Sequence, residues 1–265
     1  MRRKKLHEKT LRSSGIIDGD KKYHLSELLD IYTILLKAFG PRGWWPTTIK
    51  GFKPAYHKKK KRNISSKEIF EICIGAILTQ NTSWSNVETA IEKLNLAGLI
   101  DPLKIKAVRS ARLSGIIKSS GYYKQKSLKL KIFANHVIKN HKNDVKKWLI
   151  KSDTTQLREE LLSLYGIGPE TADSIILYAA QKPKFIADAY AIRIFNRIGF
   201  LNSLNYSYIQ DYCENILPKD VYLLQEYHAL LVELAKLFCK KKKPLCDECP
   251  IGKTKICAFK IKENG

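Results

Sequence analysis

The chain has 265 residues, of which 44% are hydrophobic, enough for a folded protein with a sizeable core. It carries 48 Lys and Arg against 25 Asp and Glu, a formal net charge of +23, and this balance predicts a polyanionic partner. We expect nucleic acid rather than a membrane surface, because no long amphipathic basic helix points to a membrane. No apolar run reaches the roughly 18 residues that a membrane span needs. No apolar segment follows the charged start Met1–Lys5, which predicts a soluble, unexported, intracellular protein.

Apolar residues recur at helical spacing through most of the chain. The first helix is predicted from His24 to Phe39, and a loop rich in Gly and Pro follows it, with two adjacent tryptophans, Trp44 and Trp45. From Ser65 onward the pattern predicts further helices with short connections, including a long one over residues 221–238. No convincing strand pattern and no internal repeat is present. The sequence therefore predicts an all-α fold.

Residues 161–176 predict two helices joined by a Gly-x-Gly hairpin, with Gly166 and Gly168 in the turn. Pro169 suits the first position of the second helix, because it lacks an N–H and its φ is preset. Backbone N–H groups at such a hairpin can bind phosphate without reading sequence. An ordinary tight turn between two core helices is the alternative, since a lone motif of this length is weak.

Asp188 follows an apolar approach and stands where the N-cap of a further helix is expected. A single aspartate at such a position is most simply explained as a cap.

Four of the six cysteines fall close together near the end of the chain: Cys239, Cys246, Cys249 and Cys257. In a large unexported protein this grouping predicts a metal or cluster site rather than disulfides. Only one close pair is present, which favours an iron–sulfur cubane over zinc, although zinc stays open. Cys73 and Cys213 lie in apolar helical stretches and are predicted to be core residues.

Four consecutive lysines lie between the first two cysteines of this group: Lys240, Lys241, Lys242 and Lys243. A loop fixed at both ends would present these charges to a phosphate backbone, and a solvated loop is the alternative.

Taken together, these motifs resemble the endonuclease III branch of the helix-hairpin-helix DNA glycosylases over residues 65–260. The hairpin of that family matches Leu164-Tyr-Gly-Ile-Gly168, with Thr171 in the following helix on the DNA-binding side. The resemblance implies a catalytic carboxylate at Asp188, a glutamine at Gln80 that fills the gap left by a flipped base, and a [4Fe-4S] cluster on the four cysteines. It also implies a monomer that binds damaged double-stranded DNA.

The resemblance implies two helical domains. A barrel domain with the hairpin is expected over residues 64–182 and a cluster domain over residues 183–265. An N-terminal segment, residues 1–63, is expected to pack with the cluster domain.

Three positions depart from the family pattern. Bifunctional members have a lysine nucleophile where this chain has Glu170, and a carboxylate cannot form a Schiff base. Tyr190 replaces a histidine common in the family. The last cysteine interval is seven residues rather than the usual five.

A narrower resemblance is to the 3-methyladenine glycosylase III subgroup, in which aromatic residues matching Trp44, Trp45 and Trp84 line the base pocket. The expected function is therefore a monofunctional glycosylase for alkylated purines, with Asp188 and Glu170 at the catalytic centre. One alternative is a bifunctional glycosylase and AP lyase for oxidised pyrimidines that uses another lysine, such as Lys182 or Lys184. A non-catalytic module that binds damaged DNA is the second.

Overall fold

The computed structural model describes residues 25–57, 63–199, 205–254 and 256–259. These residues form twelve α-helices and no strand beyond one antiparallel bridge between Thr47 and Ala55, which confirms the predicted all-α fold. None of the described helices is long and apolar enough to cross a membrane. The helices are α1 Leu25–Phe39, α2 Ser66–Leu78, α3 Trp84–Leu96, α4 Pro102–Ala107, α5 Ser110–Ile116, α6 Tyr123–Asn140, α7 Val145–Lys151, α8 Thr154–Leu162, α9 Pro169–Ser174, α10 Ala189–Ile198, α11 Tyr206–Ile216 and α12 Val221–Leu237.

Helix α2 lies at the centre of the molecule. Its residues from Glu68 to Leu78 are all buried, so the helix is surrounded by protein rather than packed on one face. Ser65 and Glu68 form a capping box that satisfies backbone N–H groups at its start. The helix ends at Leu78, with Thr79 as its C-cap directly before Gln80, and therefore delivers that glutamine from a rigid element.

The predicted hairpin is formed by α8, a tight turn and α9. Gly166 has φ +80°, a left-handed conformation that favours glycine, and α9 begins at Pro169 as expected. The α-helix then widens into a π-helical segment over Ile175–Ala179, which the sequence pattern does not predict. Such insertions occur often at functional sites.

Asp173, which is fully buried, fixes the two hairpin helices to each other. Its carboxylate accepts two hydrogen bonds from Arg158 of α8, at 2.7 and 3.1 Å. Tyr206 and Gln210 of α11 donate to the same carboxylate at 2.9 and 2.8 Å. Because every one of these contacts is charge-assisted, the hairpin is held rigidly against α11.

The long helix α12 connects the first helix, α1, with the cysteine-containing segment near the end of the chain. The Tyr227 hydroxyl donates to the carbonyl of Leu28 in α1 at 2.9 Å, and Cys239 follows shortly after the end of α12.

The domain limits expected from the sequence stay a prediction. The start of the first predicted helix at His24 and the charged segment Met1–Lys5 lie outside the described residues.

Candidate active site

Asp188 is buried at the N-cap of α10, as its position in the sequence predicts. Its Oδ1 accepts hydrogen bonds from the backbone N–H groups of Tyr190 and Ala191 at 3.0 and 2.8 Å. Its other oxygen, Oδ2, lies 3.6 Å from Nε2 of His228 on α12. One oxygen is thus fixed by the backbone, and the other faces an imidazole.

His228 is a residue of this site that the sequence analysis missed. Its Nδ1 lies 2.7 Å from the hydroxyl of Tyr178, and that hydroxyl is also 3.1 Å from the carbonyl of Gln225. Tyr178 belongs to the π-helical segment, so this insertion places a buried phenol against the imidazole. An imidazole therefore reaches Asp188 from α12, whereas the position where the family commonly has histidine holds Tyr190.

Glu170 lies in the first turn of α9, with its side chain at the surface of the site. Desolvation by the surrounding protein raises the pKa of Glu170, and the nearby charge of Asp188 raises it further. His228 acts in the opposite direction. Glu170 therefore takes up a proton at a higher pH than an ordinary glutamate.

Gln80 docks on the hairpin. Its Nε2 donates to the carbonyl of Gly166 and to Oγ1 of Thr171, both at 2.9 Å. Its Oε1 accepts from Nζ of Lys129 at 2.5 Å. A cavity of about 260 Å³ opens beside these contacts. Its lining is Ala76, Thr79, Gln80, Asn81, Lys129, Glu170, Thr171 and Ser174.

The structure explains one of the two hairpin glycines, Gly166, but not the other. A Cβ on Gly166 would come within 2.3 Å of the Lys129 side chain, so this glycine makes room inside the protein. Gly168 has an extended backbone, with φ −94°, which any residue can adopt. A Cβ there would meet no described atom within 4 Å, so the fold itself does not explain this glycine.

The three tryptophans lie together in one aromatic cluster. The ring centroids of Trp44, Trp45 and Trp84 are 4.9 to 5.5 Å apart in edge-to-face arrangements, so a base enters between two of them only if a ring moves. Trp45 also contacts Tyr178 at 5.2 Å. It rests on Gly75 of α2, where a Cβ would come within 2.9 Å of the indole nitrogen. The ring nitrogen of Trp84 is buried, and its N–H lies beside the hydroxyl of Tyr56, on whose pKa it acts downward.

The loop that carries the tryptophans is anchored to α12. The buried carboxylate of Glu226 accepts from the backbone N–H groups of Arg42 and Gly43, at 2.6 and 2.8 Å. Arg42 also pairs with Glu233, about two turns further along α12, at 3.0 Å. Because Glu226 and His228 share this helix, α12 sets the position of the tryptophans relative to Asp188.

The cysteine group fits a metal cluster. Burial raises the pKa of the Cys249 thiol, and the nearby Cys239 and Cys257 raise it further, so at least these three face one another. Gly252 permits the tight loop, since a Cβ there would come within 2.3 Å of the Cys246 carbonyl oxygen. Four zinc-bound sulfurs would lie about 3.8 Å apart, from a Zn–S bond of about 2.3 Å. No three cysteine sulfurs of the described chain lie within 4.8 Å of one another, so the sulfurs are more widely spaced than those around one zinc ion.

The lysine loop is attached to α10. Arg197, in the last turn of that helix, donates to the carbonyls of Lys240 and Lys241 at 2.6 and 3.1 Å and to Sγ of Cys239 at 3.4 Å. Arg193 donates to the Cys239 carbonyl at 2.9 Å. The side chains of all four lysines of the loop are exposed. Helix α10 thus begins at Asp188 and ends against the loop that carries the cysteines.

Known proteins similar to this chain include several DNA repair enzymes. A family model described as HhH-GPD superfamily base excision DNA repair protein matches residues 74–219. A putative DNA repair glycosylase of Methanocaldococcus jannaschii is 40% identical over 232 residues, which cover 87% of this chain and 96% of that protein. Endonuclease III of Thermotoga maritima is 28% identical over 192 residues, covering 72% of this chain and 84% of that protein.

Two solved structures share the fold. The 3-methyladenine DNA glycosylase of H. pylori, bound to 1,N6-ethenoadenine, superposes with a TM-score of 0.64 at 24% identity, covering 81% of this chain and 98% of that one. A non-covalent complex of endonuclease III with DNA gives a TM-score of 0.69 at 19% identity, covering 91% of this chain and 99% of that one.

Proposed function

Because the chain belongs to the HhH-GPD superfamily of base excision DNA repair proteins and is a DNA glycosylase, we propose that it removes alkylated purines, such as 3-methyladenine, from duplex DNA without cutting the strand. The observation that carries this proposal is the Asp188 carboxylate, which is held by two backbone N–H groups while Glu170 stands where a lyase would have its lysine. Such an enzyme must break the glycosidic bond, grip the duplex, hold the flipped base and offer no amine to the sugar.

In the bond-breaking step, the bond between C1′ of the sugar and the base nitrogen breaks with its electrons passing to the base. An alkylated purine already carries positive charge, so it leaves as a neutral base. Asp188 stabilises the positive charge that develops on the sugar and directs a water to C1′, accepting its proton. His228 faces the Oδ2 side of the carboxylate at 3.6 Å, and the Tyr178 hydroxyl fixes the His228 ring from its Nδ1 side.

The damaged base must leave the helical stack before this step. The hairpin binds the phosphate backbone through N–H groups at the start of α9. The open space around Gly168 supports a close approach of phosphate there. Gln80, which now bonds to Gly166 and Thr171, would release these contacts and enter the gap that the flipped base leaves.

The flipped base is recognised by the tryptophan cluster. Indole faces attract cationic planar bases through stacking and cation–π interaction, which contribute on the order of 1–3 kcal/mol per base. The buried N–H of Trp84, which lies beside the Tyr56 hydroxyl, gives a donor for a base heteroatom once the ring turns. Since the rings are closed on one another, binding requires Trp44 or Trp84, both partly exposed, to turn aside.

The two lysines considered as alternative nucleophiles, Lys182 and Lys184, bind groups other than Glu170, which supports a monofunctional enzyme. Lys182 Nζ donates to the carbonyl of Ile150 at 2.9 Å, and Lys184 pairs with Glu214 at 3.0 Å. The amine that does line the hairpin cavity is that of Lys129. A bifunctional glycosylase and AP lyase with Lys129 as nucleophile is therefore the second candidate function.

The four cysteines would hold a [4Fe-4S] cluster. When bound, such a cluster has a structural role: it fixes the loop between the cysteines and takes no part in base release. The residues of this chain then give the docking surface: Arg197 ties the lysine loop to α10, and the four lysines of that loop meet the phosphate backbone.

Substituting Asp188→Asn tests the proposed role of this carboxylate. Asparagine still caps α10, so the variant should fold and bind lesion DNA as the wild type does. Base release under single turnover should fall by several orders of magnitude, because the missing interaction is with charge that develops in the transition state. Asp211→Asn makes the same chemical change at an exposed position of α11 and should leave release unchanged. Activity within a few-fold of wild type in Asp188→Asn would refute the assignment.

A further inference from the structure

A cluster of two histidines and a glutamate lies outside the site described above. His136 is in the last turns of α6, His141 directly follows that helix, and Glu160 is in the last turn of α8. Nε2 of His136 and Nε2 of His141 lie 2.8 and 2.7 Å from the same Oε1 of Glu160. The three side chains are 12%, 20% and 30% exposed. The proposed glycosylase reaction uses none of them.

The spacing of these three atoms is close to that of ligands around one metal ion. The bond from zinc to an imidazole nitrogen or a carboxylate oxygen is about 2.0–2.1 Å long, so tetrahedral ligand atoms lie roughly 3.3 Å apart. The two Nε2 atoms are 3.3 Å apart. The two N–O separations are shorter because hydrogen bonds now close them, and they need to widen by about half an ångström to admit an ion.

Neighbouring side chains fix the ligand atoms from behind. The indole N–H of Trp148 donates to Oε2 of Glu160 at 2.8 Å, which leaves Oε1 as the ligand oxygen. The ring of His141 stacks on that indole, with centroids 4.3 Å apart and planes at 11°. The side-chain Nδ2 of Asn140 lies 2.9 Å from Nδ1 of His136, so without metal Nδ1 accepts and Nε2–H donates to Glu160. When a metal binds, a half-turn of the Asn140 amide would bring its oxygen to Nδ1–H and free Nε2 as a ligand, as metal-ligating histidines require.

We propose that His136, His141 and Glu160 bind one divalent transition-metal ion, zinc by preference, which staples α6 to the first helix of the hairpin motif. Two imidazoles, one carboxylate and one position left for water form a ligand set that zinc accepts. A cavity of about 500 Å³ with His141 in its wall gives the ion an entry path and holds the water.

The ion is selected by ligand chemistry rather than by the local field. Three lysines and one carboxylate line the same cavity, and their net positive charge disfavours cations in general: Lys142, Lys147, Lys151 and Asp144. Magnesium and calcium prefer oxygen ligands, so neither should compete at millimolar concentration. Because α6 also carries Lys129, which contacts Gln80 and lies against Gly166, the staple would also steady the position of α6 at the hairpin turn.

Zinc uptake by the full chain, purified without oxygen so that any iron cluster is retained, tests this proposal. After treatment with a chelator, zinc is added at about one equivalent, and zinc and iron are measured on the same samples. The wild type should bind one zinc ion more than Glu160→Gln does, with no change in iron content, and its melting temperature should rise with zinc. Affinity in Glu160→Gln should fall by more than about 100-fold, since removing even a neighbour of a ligand costs about 10–100-fold.

Glu159→Gln is the matched control, because it removes an exposed carboxylate one residue away on the same helix. It should bind zinc as the wild type does and gain the same thermal shift. His141→Gln is a second ligand variant, for use if Glu160→Gln fails to fold. The proposal is refuted if the wild type takes up no extra zinc at tens of micromolar, or if the ligand variants bind zinc as tightly as Glu159→Gln. The cluster would then be a hydrogen-bond network alone.

Discussion

At the scale of single residues, two carboxylates near one site are in different environments. Asp188 is buried and bonded to the backbone of α10, whereas Glu170 reaches the surface and has a raised pKa. The sequence predicted the cap at Asp188 and the position of Glu170, because both depend only on residues that are neighbours along the chain. It could not predict His228, which lies 40 positions after Asp188 and meets it only through packing of α10 against α12.

The raised pKa of Glu170 has a consequence for stability. Its folded-state pKa lies above the unfolded value, so ionised Glu170 disfavours the folded chain at neutral pH. The effect is small, because the side chain is exposed and solvent screens its charge. This effect disappears as the pH falls and the folded-state carboxyl takes up a proton. Glu170→Gln should therefore melt at a higher temperature than the wild type at pH 7, and the difference should shrink toward about pH 4, near the ordinary glutamate value.

Thermal unfolding of both proteins at several pH values measures this difference. Glu159→Gln is the control, since that carboxylate is exposed on α8, and it should show no comparable pH dependence. A difference that stays constant between pH 7 and pH 4 would mean that Glu170 is not desolvated in the folded chain.

At the scale of elements, the fold of the hairpin requires a glycine at Gly166 but not at Gly168. The sequence predicted both glycines, the start of α9 at Pro169 and the buried face of the second helix. It did not predict the π-helical segment Ile175–Ala179, because the apolar residues there are buried on all sides and their spacing is compatible with α-helix. This segment places Tyr178 between Trp45 and His228.

Alanine substitutions at the two hairpin glycines should separate stability from DNA binding. Gly168→Ala should keep the melting temperature within a few degrees of wild type, because the backbone is extended and the space is open. Its affinity for duplex DNA should fall about tenfold or more, since the methyl group would occupy the place of a phosphate. Gly166→Ala should instead lower stability, because of the positive φ and the contact with Lys129.

Fluorescence anisotropy with labelled duplex DNA and thermal unfolding measure the two properties on the same samples. Wild-type affinity in Gly168→Ala would mean that no phosphate approaches the hairpin at this point.

At the scale of the whole molecule, α12 connects the parts of the site. Glu226 holds the tryptophan loop, His228 faces Asp188, and Cys239 follows the end of the helix. Helix α10 forms a second connection, from Asp188 to Arg197 and the lysine loop. The spacing of the cysteines and lysines alone predicted a cluster site and a phosphate-binding loop. The side chains that join these parts to Asp188 come from distant positions, and the sequence pattern gave no sign of them.

The lysine loop should account for a definite share of the salt dependence of DNA binding. Replacing Lys240–Lys243 with alanine should reduce the slope of log affinity against log salt by about 0.9 for each phosphate that the loop no longer neutralises. A control that replaces four exposed lysines elsewhere removes the same net charge: Lys37, Lys104, Lys106 and Lys219. Equal slopes for the two variants, from titrations at several salt concentrations, would mean that the loop faces solvent in the complex.

The most direct measurement of the central claim is a product analysis on two duplexes, one with 3-methyladenine and one with an oxidised pyrimidine. Released base and strand cleavage before and after alkali are measured, together with covalent complex in the presence of borohydride. We expect release of 3-methyladenine, an intact strand until alkali is added, and no trapped complex, because Glu170 offers no amine. Strand cleavage without alkali, together with a trapped complex that disappears in Lys129→Gln, would contradict this claim and make the chain a bifunctional lyase.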